Sequence, residues 1–296
     1  MNVVYSTGHV LNESMSNVLA KGFNARKRPA CVRVTHPDGT LEFVPVKPLP
    51  GTTSIAYGIL RGTGDILREC ERTGEQYIYC DHSYFKQHRC DINSSKQNGY
   101  FRLVQNDRYA RDIGSRPSDR WDELGVKVKP WRKHGRHIVV VPVSRFVAAY
   151  NGFNAADWLG STLAKLKEVT DRPITIKPKD SDAPIEDVLD NAWALVTMES
   201  NAAIDALVAG VPVFAGVSAA VAPITSMNLE QMESPPMGDR EGLFSMLAYQ
   251  QWTIDEILSG EARESMGDGS ARATKLQECS LDGPKVRQSP NHSEVA

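Results

Sequence analysis

Residues 80 to 90 read CDHSYFKQHRC, in which two cysteines bracket two histidines. An aspartate, a tyrosine and two further basic residues lie between them. Asp81 and His82 are adjacent, and a carboxylate or an imidazole can take a proton from a hydroxyl within hydrogen-bond reach. The same stretch offers Cys80 with His82 and His88 with Cys90, two pairs of zinc ligands in the pattern C-x-H-x5-H-x-C, which matches no zinc-finger spacing. A polar loop with a buried cysteine is the third reading. The elements that position the loop have to separate these chemistries.

A second stretch, TMESNAAIDALVAGVPVFAG at 197–216, carries a different one. A strand ends in Thr197, a polar turn follows, and a small-residue helix starts around Ser200 or Asn201. Gly210 stops that helix and Pro212 opens the next strand. Ser200 and Asn201 can cap the helix, and the free N–H groups above them suit an anion such as a pyrophosphate.

Around these stretches the chain reads as α/β. Val3 to Ser6 is a strand, Leu11 to Phe23 an amphipathic helix capped by Asn12 or Ser14, and CVRVTHPDGTLEFVPV two strands about an Asp-Gly turn. YGILRGTGDILRECERTG is a helix closing at Gly74, YIYC a strand leading into the quoted loop, and GYFRLVQND another strand. HIVVVPVSR then has the continuous apolar pattern of a strand buried on both faces. A helix with Trp158, Leu159, Leu163 and Leu166 on one stripe, the strand RPITIKPKD, a helical piece after Pro184, the strand WALVT, a helix and the strand VPVFAG follow. This alternation demands a mostly parallel sheet with helices on its faces. Ligands of such sheets bind outside the carboxyl ends of the strands, so Ser144 and Arg145, Lys177 and Lys179, and the MESN turn with Glu199 should share one crevice. DREGLFSMLAYQQWTIDEILSGE supplies one or two terminal helices. The expected domains are 1–137 and 138–261, with 262–296 a polar, disordered tail.

The bulk numbers narrow the class. With 296 residues and 41% hydrophobic content there is material for a large core. No apolar run is long enough to span a bilayer, the start has no signal-peptide pattern, and five cysteines at irregular spacing are no disulfide framework. A cytoplasmic, reduced protein is expected. The net charge of -2 hides an asymmetry: residues 1–137 hold 22 Lys and Arg against 14 Asp and Glu, and the remainder 12 against 22. A basic half suits a polyanion, although charges scattered over solvated faces would give the same count. No G-x-G-x-x-G follows the first strand, and no Walker A or G-x-S-x-G run occurs, which argues against dinucleotide dehydrogenase, P-loop and hydrolase chemistry.

The pattern S-N-A-A-I-D-A-L-V-A-G-V-P-V resembles the nucleotide-sugar domain of two-domain GT-B glycosyltransferases, over roughly residues 138–260 and most sharply at 197–214. The resemblance implies two Rossmann-like domains facing a cleft and a nucleotide-sugar donor, a UDP-sugar first among them, with a divalent metal left open. It places Thr197, Ser200 and Asn201 at the donor phosphates and Asp205, one methylene shorter than the usual Glu, at the ribose hydroxyls. The acceptor and base then come from the first domain: Asp81 and His82 lead, Tyr84 positions the acceptor, and His9 and Asp65 are the other candidates. The compact chain with its basic half is also similar to viral enzymes that glycosylate hydroxymethylated pyrimidines in DNA, acting in the host cytoplasm. There Arg and Lys would meet phosphates, and Tyr109, Trp121 and Trp131 would stack bases. A transferase for a cell-surface polysaccharide or teichoic-type polymer, and a nucleotide-sugar-binding module without turnover, fit the same residues.

Overall fold

A computed structural model describes residues 1–89, 99–109, 111 and 116–267. Along the chain lie β1 (Asn2–Ser6), α1 (Val10–Gly22), β2 (Arg26–Pro29), β3 (Cys31–Thr35), β4 (Leu41–Pro45), β5 (Thr53–Tyr57), α2 (Thr63–Thr73), β6 (Tyr77–His82), β7 (Tyr100–Gln105) and α3 (Asp119–Glu123). There follow β8 (His137–Val141), α4 (Arg145–Tyr150), α5 (Ala155–Val169), β9 (Ile174–Ile176), α6 (Ile185–Leu189), β10 (Ala192–Thr197), α7 (Ala202–Val208), β11 (Val213–Ala215), α8 (Arg240–Ala248), β12 (Gln251–Thr253), α9 (Ile254–Ser259) and α10 (Glu261–Met266).

The strands form two sheets and one separate ribbon. The first sheet runs β12-β7-β6-β5-β1-β2, the second β11-β10-β8-β9, and among the described residues β3 pairs only with β4. The second sheet is parallel throughout. The first is parallel from β2 to β6 and gains two antiparallel pairings at β7 and β12. This is the mixed α/β class with mostly parallel sheets that the alternation demanded. In the second sheet the winding reverses between β8 and β10, so a crevice opens outside their carboxyl ends. In the first it reverses between β1 and β5.

Local chemistry explains most element ends and corrects several expectations. Neither Asn12 nor Ser14 caps α1, whose N-cap is His9; Asn12 lies inside the helix, accepting from the Thr7 N–H at 2.8 Å and donating to the Tyr57 carbonyl at 2.9 Å. The glycine-rich start of YGILRGTG is a loop, because Gly58, Arg61 and Gly62 take positive φ, and α2 begins only at Thr63. Asn154 caps α5 through two backbone N–H groups, and Thr253 and Glu256 form a reciprocal capping box on α9. Residues 261–266, most of them assigned to a disordered tail, are helical, while 268–296 lie outside the described residues.

The short strand β12 was not expected. It sits between two helices that follow the second sheet, yet it pairs antiparallel with β7 of the first. The chain therefore returns to its starting sheet, and Ile257 of α9 joins Leu19, Phe23 and Ile78 in that sheet's core. The larger core, around Leu195, Leu207, Phe244 and Leu247, also takes in Phe85 from the quoted loop and Trp121.

Candidate functional site

The strand expected as YIYC extends two residues further, so Asp81 and His82 end β6. Successive strand side chains point to opposite faces, and this separates the pair. Tyr79 and Asp81 share one face with Arg102, the partner of Asp81 on β7. The Tyr79 hydroxyl donates to Asp81 Oδ2 at 2.5 Å, and Arg102 of β7 donates to the same oxygen at 2.9 Å. The His82 N–H occupies the other oxygen at 2.8 Å. Burial pushes the Asp81 carboxyl up, but the Arg102 guanidinium and the Tyr79 hydroxyl outweigh it and hold the group below the ordinary aspartate value. The carboxylate, 27% exposed, is thus committed to structure and has little affinity for a proton. His82 lies over Phe101 on the other face and hydrogen-bonds the Tyr57 hydroxyl at 3.1 Å, at the carboxyl edge of the first sheet.

Arg102 is 3% exposed and sits among the rings of Tyr79, Tyr84 and Tyr109, with centroids at 5.4, 5.1 and 4.6 Å. It also donates to Asn201 Oδ1 at 3.3 Å, which joins the first sheet to the turn before α7. A second buried ion pair reinforces the join. Arg108 grips Glu199 through both terminal nitrogens at 2.5 and 2.8 Å, while the Tyr109 hydroxyl and Asn151 bond the same carboxylate. Sequence reasoning missed both arginines, although an Arg inside the apolar run YFRLV was a visible signal.

These contacts change the roles of several candidates. Glu199 is buried in an ion pair and is not a crevice ligand. Thr197 is fully buried, and its hydroxyl donates to the Val141 carbonyl at 2.9 Å, tying β10 to β8. Ser200 accepts from the Ala202 N–H at 3.2 Å, and Asn201 is taken by Arg102. With α7 only seven residues long, its N-terminus is a weak anion site. Ser144 caps α4, and Arg145 is exposed beside Phe146. Lys177 folds onto the Pro178 and Ser181 carbonyls, and Lys179 is exposed beyond β9, on the far side of β8 from β10. His9 stands exposed at the α1 N-cap, and Asp65 pairs with Arg68 at 2.5 Å in the first turn of α2. Tyr84 is fully buried and cannot position an acceptor.

Asp205 remains, one turn beyond Asn201 along α7. It faces a groove of about 490 Å³ between α7, α6, the quoted loop and the segment 126–132. Phe85, Lys86 and Gln87 form the loop side, and Lys127, Lys129 and Arg132 add positive charge. Burial lifts the Asp205 carboxyl to about 6, against the pull of Arg89, whose guanidinium lies 3.9 Å away. The loop itself is fastened from beneath: the Ser83 hydroxyl and the Tyr84 N–H both donate to Gln251 of β12, at 2.6 and 2.8 Å.

The zinc reading of the loop finds poor support. Cys80 is packed in the apolar core, His88 bonds the Leu124 carbonyl at 2.8 Å, and Cys90 lies outside the described residues. Among the described residues no cluster of three His, Cys, Asp or Glu side chains is placed to hold a metal. The base-stacking expectation is corrected as well. Tyr109 and Trp121 are buried, and the Trp131 ring is covered by Arg240 at 3.9 Å. Among the described residues no helix is long and apolar enough to cross a membrane.

No family model matches the sequence, and neither does any curated protein. Among solved structures, the beta Kdo 2,4 transferase of Thermosulfurimonas dismutans KpsC is 9% identical with a TM-score of 0.49, over 89% of this chain and 98% of that one. The KpsC beta Kdo 2,7 transferase of the same organism is 11% identical with a TM-score of 0.48, over 89% and 99%. What fold and site define is an α/β protein of two mostly parallel sheets, joined by buried arginine clamps beside a charged groove.

Proposed function

We propose that the chain is a glycosyltransferase of the two-domain GT-B kind, which moves a sugar from a nucleotide-sugar donor to a hydroxyl acceptor. The groove beside α7 carries this reading. Its volume falls within the roughly 300–1,000 Å³ of small-ligand pockets. Lys127 and Lys129 suit a diphosphate, whereas Lys86 is paired with Glu186 of the groove wall and Arg132 donates to the Leu189 and Ala192 carbonyls; an ionised Asp205 suits the hydroxyls of a ribose. In the reaction the acceptor oxygen bonds to the anomeric carbon, the bond from that carbon to the phosphate oxygen breaks, and the cations hold the departing charge. The acceptor proton passes to a base, a role for which Asp81, held by Arg102 and Tyr79, is poorly suited. The exposed Arg26 and Arg28 of β2 favour a polyanionic acceptor, either DNA bearing hydroxymethylated pyrimidines or an acidic cell-surface polymer.

The test is calorimetric titration with UDP and UDP-sugars, with and without Mg²⁺, followed by mass spectrometry of acceptors after incubation with a donor pool. UDP binding that weakens at least tenfold in Asp205→Asn, with a one-sugar mass gain on hydroxymethylated nucleosides or on the polymer, is the expected result. Donors that neither bind nor turn over, across uridine, cytidine, guanosine and thymidine nucleotides, would remove the transferase reading.

A further inference from the structure

Two ion pairs cross the groove beside α7, and both run the same way: the loop supplies the cation and the helices supply the carboxylate. Lys86 Nζ donates to both Glu186 oxygens, at 2.8 and 2.7 Å, and the Arg89 guanidinium lies 3.9 Å from Asp205. Lys86 and Glu186 both line the groove, Glu186 from the first turn of α6. The two cations differ in freedom. Arg89 also donates to the Ser83 and Tyr84 carbonyls, at 3.3 Å each, and is fixed to the loop. Lys86 is a compact charge on a flexible stem. The loop backbone beneath it is held by other contacts: Ser83 and Tyr84 are tied to Gln251, Phe85 packs against Trp121 and Phe244, and His88 bonds the Leu124 carbonyl. The Lys86 ammonium can therefore change partners while the loop stays in place. Lys86 and Glu186 are 47% and 60% exposed, and an exposed pair of this kind is parted at little cost.

We propose that Glu186 is a built-in competitor for the anionic group of the groove's ligand: it occupies Lys86 in the free protein and yields that seat to a diphosphate. The inference rests on the nucleotide-sugar reading of the groove, and it adds a residue that sets how tightly the groove takes anions. Lys127 and Lys129 stand on the 126–132 side of the same groove, so a diphosphate that took Lys86 would meet cations from two segments. The carboxylate it displaced would be left to water, which its exposure already admits. Glu186 also helps to push the Asp205 carboxyl up, by like-charge repulsion within one wall. Its negative charge thus opposes both an incoming phosphate and the ionised form of Asp205 that a ribose would use.

Calorimetric titration with inorganic pyrophosphate tests it, at about 50 mM salt, where exposed charges are weakly screened. Glu186→Gln should bind pyrophosphate about three- to fivefold tighter than the wild-type chain, the range that an exposed ion pair can supply. In a Lys86→Met background the same change should alter affinity by less than about 1.5-fold, because the contested cation is gone. Glu186→Ala repeats the comparison if the glutamine variant fails to fold. Equal tightening in both backgrounds would mean that Glu186 acts only through the general field, and no tightening in either would mean that it does not compete. Each of these results overturns the proposal and leaves the groove reading in place. Binding that is unchanged when Lys127 and Lys129 are both replaced by Met would put the anion elsewhere. That result, or a wild-type chain that takes no pyrophosphate up to about 10 mM, would remove the groove reading and this inference together.

Discussion

Asp205→Asn should stabilise the protein at pH 8 and leave its stability almost unchanged at pH 4. The Asp205 carboxyl, 15% exposed, titrates near 6 in the fold and near 3.8 in the open chain. Between those values the folded state binds more protons than the unfolded one, so stability falls as pH rises through that window. Each pKa unit corresponds to about 1.36 kcal/mol, which makes the full fall about 3 kcal/mol, complete by about pH 7. The asparagine keeps the shape and discards the buried charge, so it should recover most of that amount at pH 8. The pull of Arg89 is already contained in that value, so a gain approaching about 3 kcal/mol is expected. Urea midpoints measured at pH 4, 6 and 8 give the comparison. A difference between wild type and variant that stays constant with pH to within about 0.5 kcal/mol would refute the reasoning, and so would a variant less stable than wild type at pH 8. The destabilised carboxylate is the form the proposed nucleotide would use, so saturating UDP should narrow the gap between the two proteins at pH 8.

Two other perturbations probe the frame around the groove. Glu199→Ala leaves the buried Arg108 without its carboxylate and should cost about 3–5 kcal/mol in denaturant unfolding; a cost under about 1 kcal/mol would mean that water reaches the pair. Gly210→Ala should cost at least about 2 kcal/mol by the same measurement, because Gly210 has a φ of +78° and its added methyl would meet the Pro130 carbonyl; a neutral result would place the segment 126–132 away from the end of α7.

What could be read in advance followed from local pattern. His137–Val141 declared itself as a doubly covered strand by continuous apolar sequence, Ala192–Thr197 was legible as a strand, and Gly74 marked a helix end by backbone need. The misreadings came from contacts between distant segments. Gln251–Thr253 is too short to show a strand period, and only its pairing with β7 makes it one. Tyr109 and Trp121 looked solvent-facing among arginines, yet Tyr109 bonds the buried Glu199 and Trp121 packs against Phe85 and Phe244. Asp81 and His82 were treated as one unit because β6 was ended at Cys80. Two more strand residues send them to opposite faces, and alternation alone could have raised that point. Asp205, singled out by the motif, faces a groove lined by Lys86, Lys127 and Arg132, which no spacing connects.

The pairing of β12 with β7 also orders events during biosynthesis. On the ribosome, β1 to β7 emerge long before residues 251–253, so the first sheet waits with β7 as an open edge while the second sheet is made. The Ser83 hydroxyl and the Tyr84 N–H wait with it, since Gln251 is their acceptor. The loop that walls the groove therefore takes its final shape only after the second sheet has been synthesised. A chain cut at the linker between the sheets would present an unguarded strand to its neighbours, and expression of the first half alone should give aggregates where the whole chain gives soluble protein.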